Sequence, residues 1–306
     1  MADLSVAIVS YNTRELLKQC LDALFDAAGE LTLDVIVVDN GSTDGSQEML
    51  EEHQPAVRLL ANAHNIGFAA ANNLALNHAT APVVLLLNSD AFITTEAIRQ
   101  ALGLMTDHPQ IGIIGTRLLN TDGTIQAEAG AFPTFIDDVM VSVGLDRLVT
   151  RRTPAQCRPG PVDWVQGACM FIRMATVREI GGLDERFFMY SEEVDWCRRC
   201  WQAGWEVWYL PSAAIVHIGG ASSRNDVRRR LALYTSRLGF RRRVSGPIAS
   251  SGLWVLMLIG LAARIVVRPL AGQITRRQVG HQTVSSDISL LAALLRADPL
   301  ARWVRS

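Results

Sequence analysis

The chain has 306 residues, of which 49% are hydrophobic and 19% charged. This composition excludes a disordered chain and a collagen-like repeat, and the length suffices for one large core or two modest ones. The formal net charge of −1 hides an uneven distribution, because residues 224–306 hold 15 Arg against three Asp (+12) and residues 1–223 carry −13. A basic tail beside apolar runs favours an anionic membrane face over nucleic acid as its partner.

The cysteines do not indicate a disulfide framework. They number five, an odd count spread thinly over a long chain, which favours a reducing compartment. Cys197 and Cys200 form a C-x-x-C without the second pair of a zinc site, and their spacing within a helix is typical of packing residues. The first residues lack a charged segment followed by an apolar one, so we expect no secretory signal and a cytoplasmic catalytic part.

The first 120 residues or so alternate short runs of Val, Ile and Leu with longer helical patterns. This alternation predicts βα units on a mostly parallel sheet. Each predicted strand ends in polar or small residues, and ligands bind beyond the carboxyl ends of strands in such sheets. These strand ends are therefore expected to line one crevice. The predicted strands are Leu4–Val9, Val35–Val38, Val57–Leu60, Val83–Leu87 and Ile111–Ile114.

The second half of the chain has a different pattern. Two further strands are predicted at Trp164–Arg173 and Val207–Val216, with a helix from about Glu192 to Ala203 between them. An Arg-rich helical stretch and an apolar run then follow. We predict one domain over residues 1–222 and a basic, apolar, membrane-associating region over residues 223–306.

The apolar run, residues 252–267, is interrupted by Arg264 and spans about 16 residues. A bilayer-crossing helix needs roughly 20 residues, so an interfacial or re-entrant segment is predicted. A transmembrane helix with snorkelling ends and a core-packed amphipathic helix are the alternatives. Ser286 and Asp287 are predicted to cap a last helix over Ile288–Arg296.

Asp39 ends a predicted buried strand and precedes a run of turn-forming residues that opens a helix. A carboxylate at this place can accept a hydrogen bond from a ring N–H of a pyrimidine, and a helix N-terminus attracts anions. Helix capping is the alternative explanation of the same residues. A nucleotide-binding loop and a simple cap both remain open at this point.

Two residues are candidate metal ligands. Asp90 follows the most apolar predicted strand, and a lone carboxylate with diphosphate oxygens and waters is a common way of holding Mg²⁺ or Mn²⁺. His217 ends another apolar strand and can supply a nitrogen ligand, a combination compatible with Mn²⁺. A structural histidine is the alternative.

Glu192, Glu193 and Asp195 place three carboxylates at the start of a predicted helix. Mutual repulsion and neighbouring aromatic residues raise a carboxyl pKa, as a general base requires, whereas the helix dipole opposes this shift. A solvated first helical turn is the alternative. Phe187, Phe188, Tyr190 and Trp196 surround the three acids in the sequence, and they favour a pocket.

Taken in order, five segments resemble the family 2 glycosyltransferases with the GT-A fold. The resemblance covers roughly residues 4–222 and is strongest for the bacterial rhamnosyltransferase-like branch. It implies an α/β fold, Rossmann-like, with a mostly parallel mixed sheet flanked by helices, here followed by a basic, apolar helical C-terminal extension. The segments are Val9–Asn12, Val37–Gly45, Asn65–Asn73, Leu87–Ala91 and Gly182–Trp196.

The resemblance also implies roles for individual residues. Asp90 matches the last carboxylate of the family's D-x-D metal motif, and His217 matches its later metal-binding histidine, for Mg²⁺ or Mn²⁺. Asn88 stands where the first Asp is often found, so a water-mediated contact is expected there. Glu193 is the counterpart of the catalytic base, with Glu192 and Asp195 as rivals. Residues expected at the nucleotide or donor sugar are Tyr11, Asn12, Asp39, Asn40, Ser42, Asn65, Gly67, Asn72, Ser89, Trp164 and Gly167.

The activity that this resemblance implies is an inverting transfer of a sugar, with rhamnose suggested by the branch, from a UDP- or dTDP-sugar. A lipid-linked or polysaccharide acceptor in cell-wall or surface glycan synthesis is expected, at the cytoplasmic face of the inner membrane. The alternatives are a non-catalytic, membrane-bound nucleotide-sugar-binding scaffold and a nucleotidyltransferase. A Rossmann dehydrogenase is disfavoured because no G-x-G-x-x-G follows the first strand. Nucleic acid is not expected as a partner.

Overall fold

The computed structural model describes residues 2–52, 56–126, 129–143, 145, 158–219, 226–275 and 281–296. The chain divides into two compact units. The first unit comprises Met1–Phe132, Thr153–Phe188 and Glu192–Ser222, and the second comprises Pro133–Arg152, Met189–Ser191 and Ser223–Ser306. Cys157 lies outside the described residues.

The strands of the first unit follow one another in the chain as follows: β1 (Leu4–Ser10), β2 (Leu33–Asp39), β3 (Val57–Ala61), β4 (Val83–Asn88), β5 (Ala91–Phe92), β6 (Ile111–Leu119), β7 (Ala129–Gly130), β8 (Gly160–Pro161), β9 (Trp164–Val165), β10 (Cys169–Arg173) and β11 (Glu206–His217). The helices of this unit are α1 (Arg14–Ala28), α2 (Ser46–Glu51), α3 (Phe68–Leu76), α4 (Thr95–Asp107), α6 (Met174–Ile180) and α7 (Glu192–Gln202). The second unit contains α5 (Phe135–Ser142), α8 (Asp226–Thr275) and α9 (His281–Arg296).

One mixed sheet organises the first unit, with the strand order β3-β2-β1-β4-β10-β6-β11-β5 and with β8 paired to β11. The neighbours β3, β2, β1 and β4 are parallel, and so are β6 and β11. Strand β10 runs antiparallel between β4 and β6. The predicted Rossmann-like, mostly parallel mixed sheet is confirmed. A small second sheet pairs β7 with β9.

Both faces of the sheet are covered, which explains why its strands are continuously apolar. Alternate residues of β4 point to opposite faces. Leu85 and Leu87 pack in the cluster that contains Leu17 of α1, while Leu86 packs in the cluster that contains Trp196 of α7.

The structure departs from the predicted strands in two segments of this sheet. Strand β6 extends to Leu119, beyond the predicted end at Ile114. The predicted strand Trp164–Arg173 is wrong as a single element, because it forms β9 and β10 with a break at residues 166–168. Gly167 lies within this break, and a Cβ there would lie 3.6 Å from both the Glu193 Cβ and the Phe68 ring, which is ordinary packing distance. The break therefore brings the backbone at Gly167 into contact with α3 and α7.

In the second unit, α8 is broken at Gly246, which has a φ of 84°. Gly246 is followed by Pro247, and a glycine ending one helix before a proline that starts the next is a typical pair of helix signals. The two arms of α8, before and after Gly246, pack with α9 around a small apolar core. This core consists of Tyr234, Leu238, Leu253, Met257, Leu261, Leu290 and Leu294.

Buried ion pairs connect the helices of the second unit. Asp138 of α5 accepts hydrogen bonds from Arg237 at 3.0 Å and from Arg241 at 2.8 Å. Arg230 of α8 forms an ion pair with Asp287 of α9. The predicted cap at Ser286 and Asp287 is therefore wrong, because α9 begins at His281 and the Asp287 carboxylate, inside the helix, pairs with an arginine instead.

The stretch Val227–Val267 of α8 is, within the described part of the chain, the one helix long and apolar enough to cross a membrane by length and composition. Its second arm also exposes large apolar side chains along one side. They are Ile248, Val255, Ile259, Val266 and Val267.

Candidate active site

The strand order brings the predicted polar strand ends side by side. Strand β1 lies between β2 and β4, with Ser10 paired to Asp39 and Val9 paired to Asn88. Neighbouring strands lie about 4.8 Å apart. The segments that follow β1, β2 and β4 therefore leave the same edge of the sheet next to one another.

Asp39 is fully buried at the end of β2. Its Oδ1 accepts hydrogen bonds from the Ser42 N–H at 2.9 Å and from Gln47 Nε2 at 2.6 Å. Its Oδ2 has no hydrogen-bond partner among the described residues. One carboxylate oxygen thus shapes the loop, and the other retains its capacity to accept a hydrogen bond.

Asn12 connects the loops after β1 and β2. Its N–H donates to Ser42 Oγ at 2.9 Å, and its Oδ1 accepts from the Thr43 N–H at 2.8 Å. The φ of Asn12 is 53°, a left-handed conformation in which Asn is enriched. In the described structure, Asn12 and Ser42 therefore hold two loops together, and their predicted contact with a nucleotide stays a prediction.

Asn40 is buried, and both ends of its amide are in use. Nδ2 donates to Asn65 Oδ1 at 3.1 Å and to the Gly67 carbonyl at 3.2 Å. Oδ1 accepts from Asn62 Nδ2 at 3.2 Å and from the Ile66 N–H at 3.1 Å. Through these hydrogen bonds, Asn40 and Asn65 stabilise the conformation of the segment before α3.

Gly67 begins this helix at a close backbone approach. It has a φ of 96°, and a Cβ there would lie 2.7 Å from the Phe188 carbonyl oxygen, which accepts a hydrogen bond from the Phe68 N–H at the same distance. Asn72 is buried one turn later, where its Nδ2 donates to the Phe68 carbonyl at 2.9 Å. Gly67 and Asn72 thus serve the packing of α3 in this structure.

Ser89 and Tyr11 differ in their surroundings. Ser89 is buried, and its Oγ lies 2.9 Å from Thr13 Oγ1, which in turn lies 3.0 Å from Ser10 Oγ. This chain of hydroxyls joins the end of β1 to the turn after β4. Tyr11 is half-buried and directly follows β1, so it lies at the same edge of the sheet.

Asp90 and His217 meet although they come from distant parts of the chain. His217 pairs with Ala91 across the antiparallel strands β11 and β5, which places it beside Asp90. His217 Nε2 lies 3.3 Å from Asp90 Oδ1 and 3.3 Å from Asn88 Nδ2. The other oxygen of Asp90 accepts from the Gly219 N–H at 3.1 Å. The three residues matched to the family's metal motif are therefore together.

Sequence reasoning missed a residue on the other side of the histidine. Gln126 Oε1 lies 2.8 Å from His217 Nδ1, and Gln126 Nε2 donates to the His217 carbonyl at 2.6 Å. No motif in the sequence marks Gln126, because it lies after a turn at the end of β6 and contacts His217 only through tertiary structure.

The donor set fits a divalent cation held jointly with a nucleotide. Asp90 supplies a carboxylate oxygen, and His217 supplies an imidazole nitrogen 3.3 Å away. Neither is more than one tenth exposed. No group of three or more His, Cys, Asp or Glu side chains in the described ranges forms a metal cage of its own. Diphosphate oxygens and water would therefore complete the coordination, as Mg²⁺ and Mn²⁺ sites at nucleotides require.

The three carboxylates at the start of α7 have different environments. Glu192 is 4% exposed and its Oε2 has no hydrogen-bond partner among the described residues. Burial, together with the charge of Glu193, raises the pKa of Glu192 well above its ordinary value. Glu193 is half-buried, with its Cβ close to Gly167.

Asp195 differs from both glutamates because it belongs to a buried ion pair. Its Oδ2 accepts from Arg199 Nε at 2.9 Å. Arg199 also donates to the carbonyls of Ile180 at 2.6 Å and Gly182 at 2.7 Å. Asp195 thus fixes the arginine that joins α7 to the segment preceding it.

Trp164 begins β9, and Gly167 lies within the break between β9 and β10. Trp164 Nε1 donates to the Ala131 carbonyl at 2.9 Å, which fixes the indole ring while leaving it half-buried. Gly167 is buried against Phe68 and Glu193. Gly167 therefore lies against α7, the helix that carries the glutamates.

A mostly parallel mixed sheet with helices on both faces is the arrangement of the GT-A glycosyltransferase fold. The family model "Glycosyl transferase family 2" matches residues 5–180, more than half of the chain. The chain therefore belongs to glycosyl transferase family 2 and is a glycosyltransferase.

Similarity to curated proteins extends over most of the chain. An N-acetylglucosaminyl-diphospho-decaprenol L-rhamnosyltransferase of Mycobacterium tuberculosis is 29% identical over 297 residues, covering 90% of this chain and 96% of its own. The low-salt glycan biosynthesis hexosyltransferase Agl10 of Haloferax volcanii is 31% identical over 64% of this chain and 61% of its own. The rhamnosyltransferase-like resemblance is confirmed.

Solved structures agree on the fold. A mannosyltransferase from Pyrobaculum calidifontis, in complex with GDP-Man and Mn²⁺, has a TM-score of 0.57 at 16% identity and covers 100% of this chain and 90% of that one. GalNAc-T7 with UDP, GalNAc and Mn²⁺ has a TM-score of 0.58 at 14% identity, covering 79% of this chain and 48% of that one. At these identities the likeness shows the GT-A fold.

Proposed function

We propose that this protein is an inverting, metal-dependent glycosyltransferase that moves a sugar from a UDP- or dTDP-sugar to a lipid-linked acceptor in surface glycan synthesis. The observation that carries this proposal is the meeting of Asp90 with His217 at the edge of the sheet where the loops after β1, β2 and β4 emerge. The resemblance to an L-rhamnosyltransferase that acts on a diphospho-decaprenol supports rhamnose as the sugar and a polyprenyl diphosphate in the acceptor.

The nucleotide is proposed to bind along the loops after β1 and β2. Tyr11 borders this edge, and the free acceptor capacity of Asp39 Oδ2 suits the ring N–H of uracil or thymine. Hydrogen bonds among five neighbouring residues stabilise the conformation of these loops. The residues are Asn12, Asn40, Ser42, Asn65 and Gly67. Asn72 and Ser89 are assigned a supporting role because their side chains are buried and hydrogen-bonded within the protein.

Asp90 and His217 are proposed to hold Mg²⁺ or Mn²⁺ at the donor diphosphate. When bound, the cation supplies positive charge that stabilises the departing nucleoside diphosphate. The shielding of both side chains from water strengthens the same electrostatic effect. Asn88 is proposed to contact the cation through a water molecule.

Glu193 is proposed as the general base, which accepts the proton of the acceptor hydroxyl as that oxygen attacks the anomeric carbon. It is half-buried and lies beside Gly167, whereas Asp195 is committed to Arg199. Glu192, with its raised pKa, is protonated over a wider pH range, so it lowers the negative charge beside the base. Trp164 and Gly167 are proposed to border the sugar, with the Trp164 ring as a stacking surface.

Residues 223–306 are proposed to place the enzyme on the cytoplasmic face of the inner membrane, where polyprenyl-linked acceptors lie. The +12 charge of this region suits anionic headgroups, at about 1 kcal/mol for each basic residue near the surface. The exposed apolar side of the second arm of α8 suits the acyl boundary.

The test is transfer from dTDP-L-rhamnose to N-acetylglucosaminyl-diphospho-polyprenol by the full chain and by Glu193→Gln. General-base removal is expected to lower kcat by about 10²–10⁴-fold, with dTDP binding retained. The control is Glu15→Gln, on the exposed surface of α1, which is expected to leave kcat unchanged. Transfer by Glu193→Gln at the wild-type rate would contradict the assignment of the base. Absence of transfer by the wild-type protein with every nucleotide sugar and acceptor tried would favour the alternative function, a non-catalytic nucleotide-sugar-binding scaffold.

A further inference from the structure

The contacts of Gln126 determine which nitrogen of His217 carries the proton. Gln126 Nε2 donates to two oxygens, the His217 carbonyl at 2.6 Å and Asn120 Oδ1 at 2.8 Å. These two acceptors fix the orientation of the amide, so that the atom facing His217 Nδ1 at 2.8 Å is Oε1. An amide oxygen can only accept a hydrogen bond, and Nδ1 is therefore the protonated nitrogen of the neutral ring.

This tautomer leaves the lone pair of the neutral ring on Nε2. Nε2 is the atom that lies 3.3 Å from Asp90 Oδ1. Both atoms are then acceptors facing each other at close range, an arrangement that a cation between them stabilises. Asn88 Nδ2, 3.3 Å from Nε2, also suits an acceptor at that position. The side of the ring that faces Asp90 is thus prepared for a metal ion.

Gln126 is itself held firmly. Its N–H donates to the Leu118 carbonyl at 2.9 Å, at the end of β6. Asn120, which receives one of its amide hydrogens, is fixed by Nδ2 donating to Thr124 Oγ1 at 2.8 Å. A short turn between residues 120 and 124 therefore anchors the amide that contacts the histidine.

We propose that Gln126 is a positioning residue, which holds His217 in the Nδ1-protonated tautomer and aims Nε2 at the metal beside Asp90. The inference rests on the proposed metal site and adds a residue that neither the sequence motifs nor the family match assigns to it. Hydrogen bonds of this kind to a metal-bound histidine typically change metal affinity by 10–100-fold.

Two measurements on the full chain test this proposal. The first is the Mn²⁺ dissociation constant in the presence of dTDP, obtained from the free-ion signal in electron paramagnetic resonance. Gln126→Met keeps the size of the side chain and removes its hydrogen bonds, and about 10–100-fold weaker Mn²⁺ binding is expected. The matched control is Gln19→Met, on the exposed side of α1, with unchanged binding expected. Thermal unfolding is compared for all variants.

The second measurement needs no variant and no metal. Long-range ¹H–¹⁵N spectra of the wild-type protein, with the His217 signals assigned by comparison with His217→Ala, report the tautomer directly. A proton on Nδ1 is expected, and a proton on Nε2 in the neutral ring would overturn the inference whether or not Gln126→Met folds.

The outcomes also separate this inference from the proposed function. If His217→Ala binds Mn²⁺ as tightly as the wild type does, the proposed metal site itself fails. If His217→Ala loses Mn²⁺ while a folded Gln126→Met retains wild-type affinity, the metal site stands and the role of Gln126 is refuted.

Discussion

His217 Nε2 lies 3.3 Å from Asp90 Oδ1, and strand pairing brings the two together. Asp90 ends the turn after β4, and β5, which starts at Ala91, runs antiparallel to the end of β11 with Ala91 opposite His217. The two-residue strand β5 therefore brings together a carboxylate and an imidazole that come from distant parts of the sequence.

The raised pKa of Glu192 predicts a pH-dependent stability. A carboxyl whose folded pKa exceeds its unfolded value binds more protons in the folded state, so stability falls as the pH rises from about 4.5 toward the folded pKa. Glu192→Gln removes this effect. The melting temperature of Glu192→Gln relative to wild type is expected to increase from pH 4 to pH 8, measured by thermal unfolding. A difference that stays constant or decreases with pH would contradict the buried, high-pKa state.

The Arg199–Asp195 pair predicts a large loss of stability on mutation. Asp195 is fully buried, and Arg199→Met leaves its charge without this partner. Breaking such a pair typically costs about 3–5 kcal/mol. The control is Arg99→Met, which breaks the exposed pair with Glu96 and is expected to leave the stability nearly unchanged, because water and salt screen a pair on the surface. Denaturant unfolding checks both, and equal losses in the two variants would refute a structural role for Asp195.

Replacing glycine by alanine is expected to have opposite effects on stability at Gly67, which is crowded, and at Gly103, which is not. Gly67→Ala combines a φ of 96° with a Cβ 2.7 Å from the Phe188 carbonyl, so it is expected to destabilise the protein by more than about 1 kcal/mol. Gly103→Ala lies in α4 with nothing within 4 Å, and it is expected to stabilise the protein by about 0.5–1 kcal/mol. Chemical denaturation of both variants measures the signs, and a stable Gly67→Ala would show that the approach is not tight.

The exposed apolar side of α8 predicts membrane binding that mutation and salt both weaken. Ile259 and Val266 are each more than half exposed. Replacing both with Glu is expected to lower partitioning into vesicles of 30% anionic lipid by tenfold or more, since burial of one such side chain contributes about 1.5–3 kcal/mol. Phe25→Glu, on α1, is the control and is expected to leave partitioning unchanged. Co-sedimentation unaffected by the double change or by salt would contradict this membrane surface.

The sequence predicted the catalytic fold well where local pattern and tertiary structure agree. Runs of Val, Ile and Leu bounded by polar residues located β1 to β4 within one or two residues. The reason is clearest for β1, β2 and β4, which are buried on both faces along most of their length and are therefore largely apolar. The same rule failed between Trp164 and Arg173. The break there lies where Gly167 packs against Phe68 and Glu193, a contact between distant segments that a local pattern does not reveal.

Some residues of the proposed site could be predicted from local sequence patterns, and others could not. Asp39 and His217 each end a strand and Asp90 follows one, and the strand order then places them at one edge. Gln126 had no local signal, since its partner is far along the chain. At the C-terminus, Asp287 resembled a helix cap by residue type, but its true partner is Arg230 on another helix. Side-chain pairs between helices leave little trace in a single sequence.

The most direct test of the account is calorimetric binding of UDP and dTDP to the full chain, with Mn²⁺ or with chelator, for wild type and Asp90→Ala. We expect binding that requires Mn²⁺ in the wild type and is weakened at least tenfold in Asp90→Ala, with the preferred base identifying the donor class. Nucleotide binding that is equally tight with chelator, or unchanged in a folded Asp90→Ala, would contradict a metal held by Asp90 and His217.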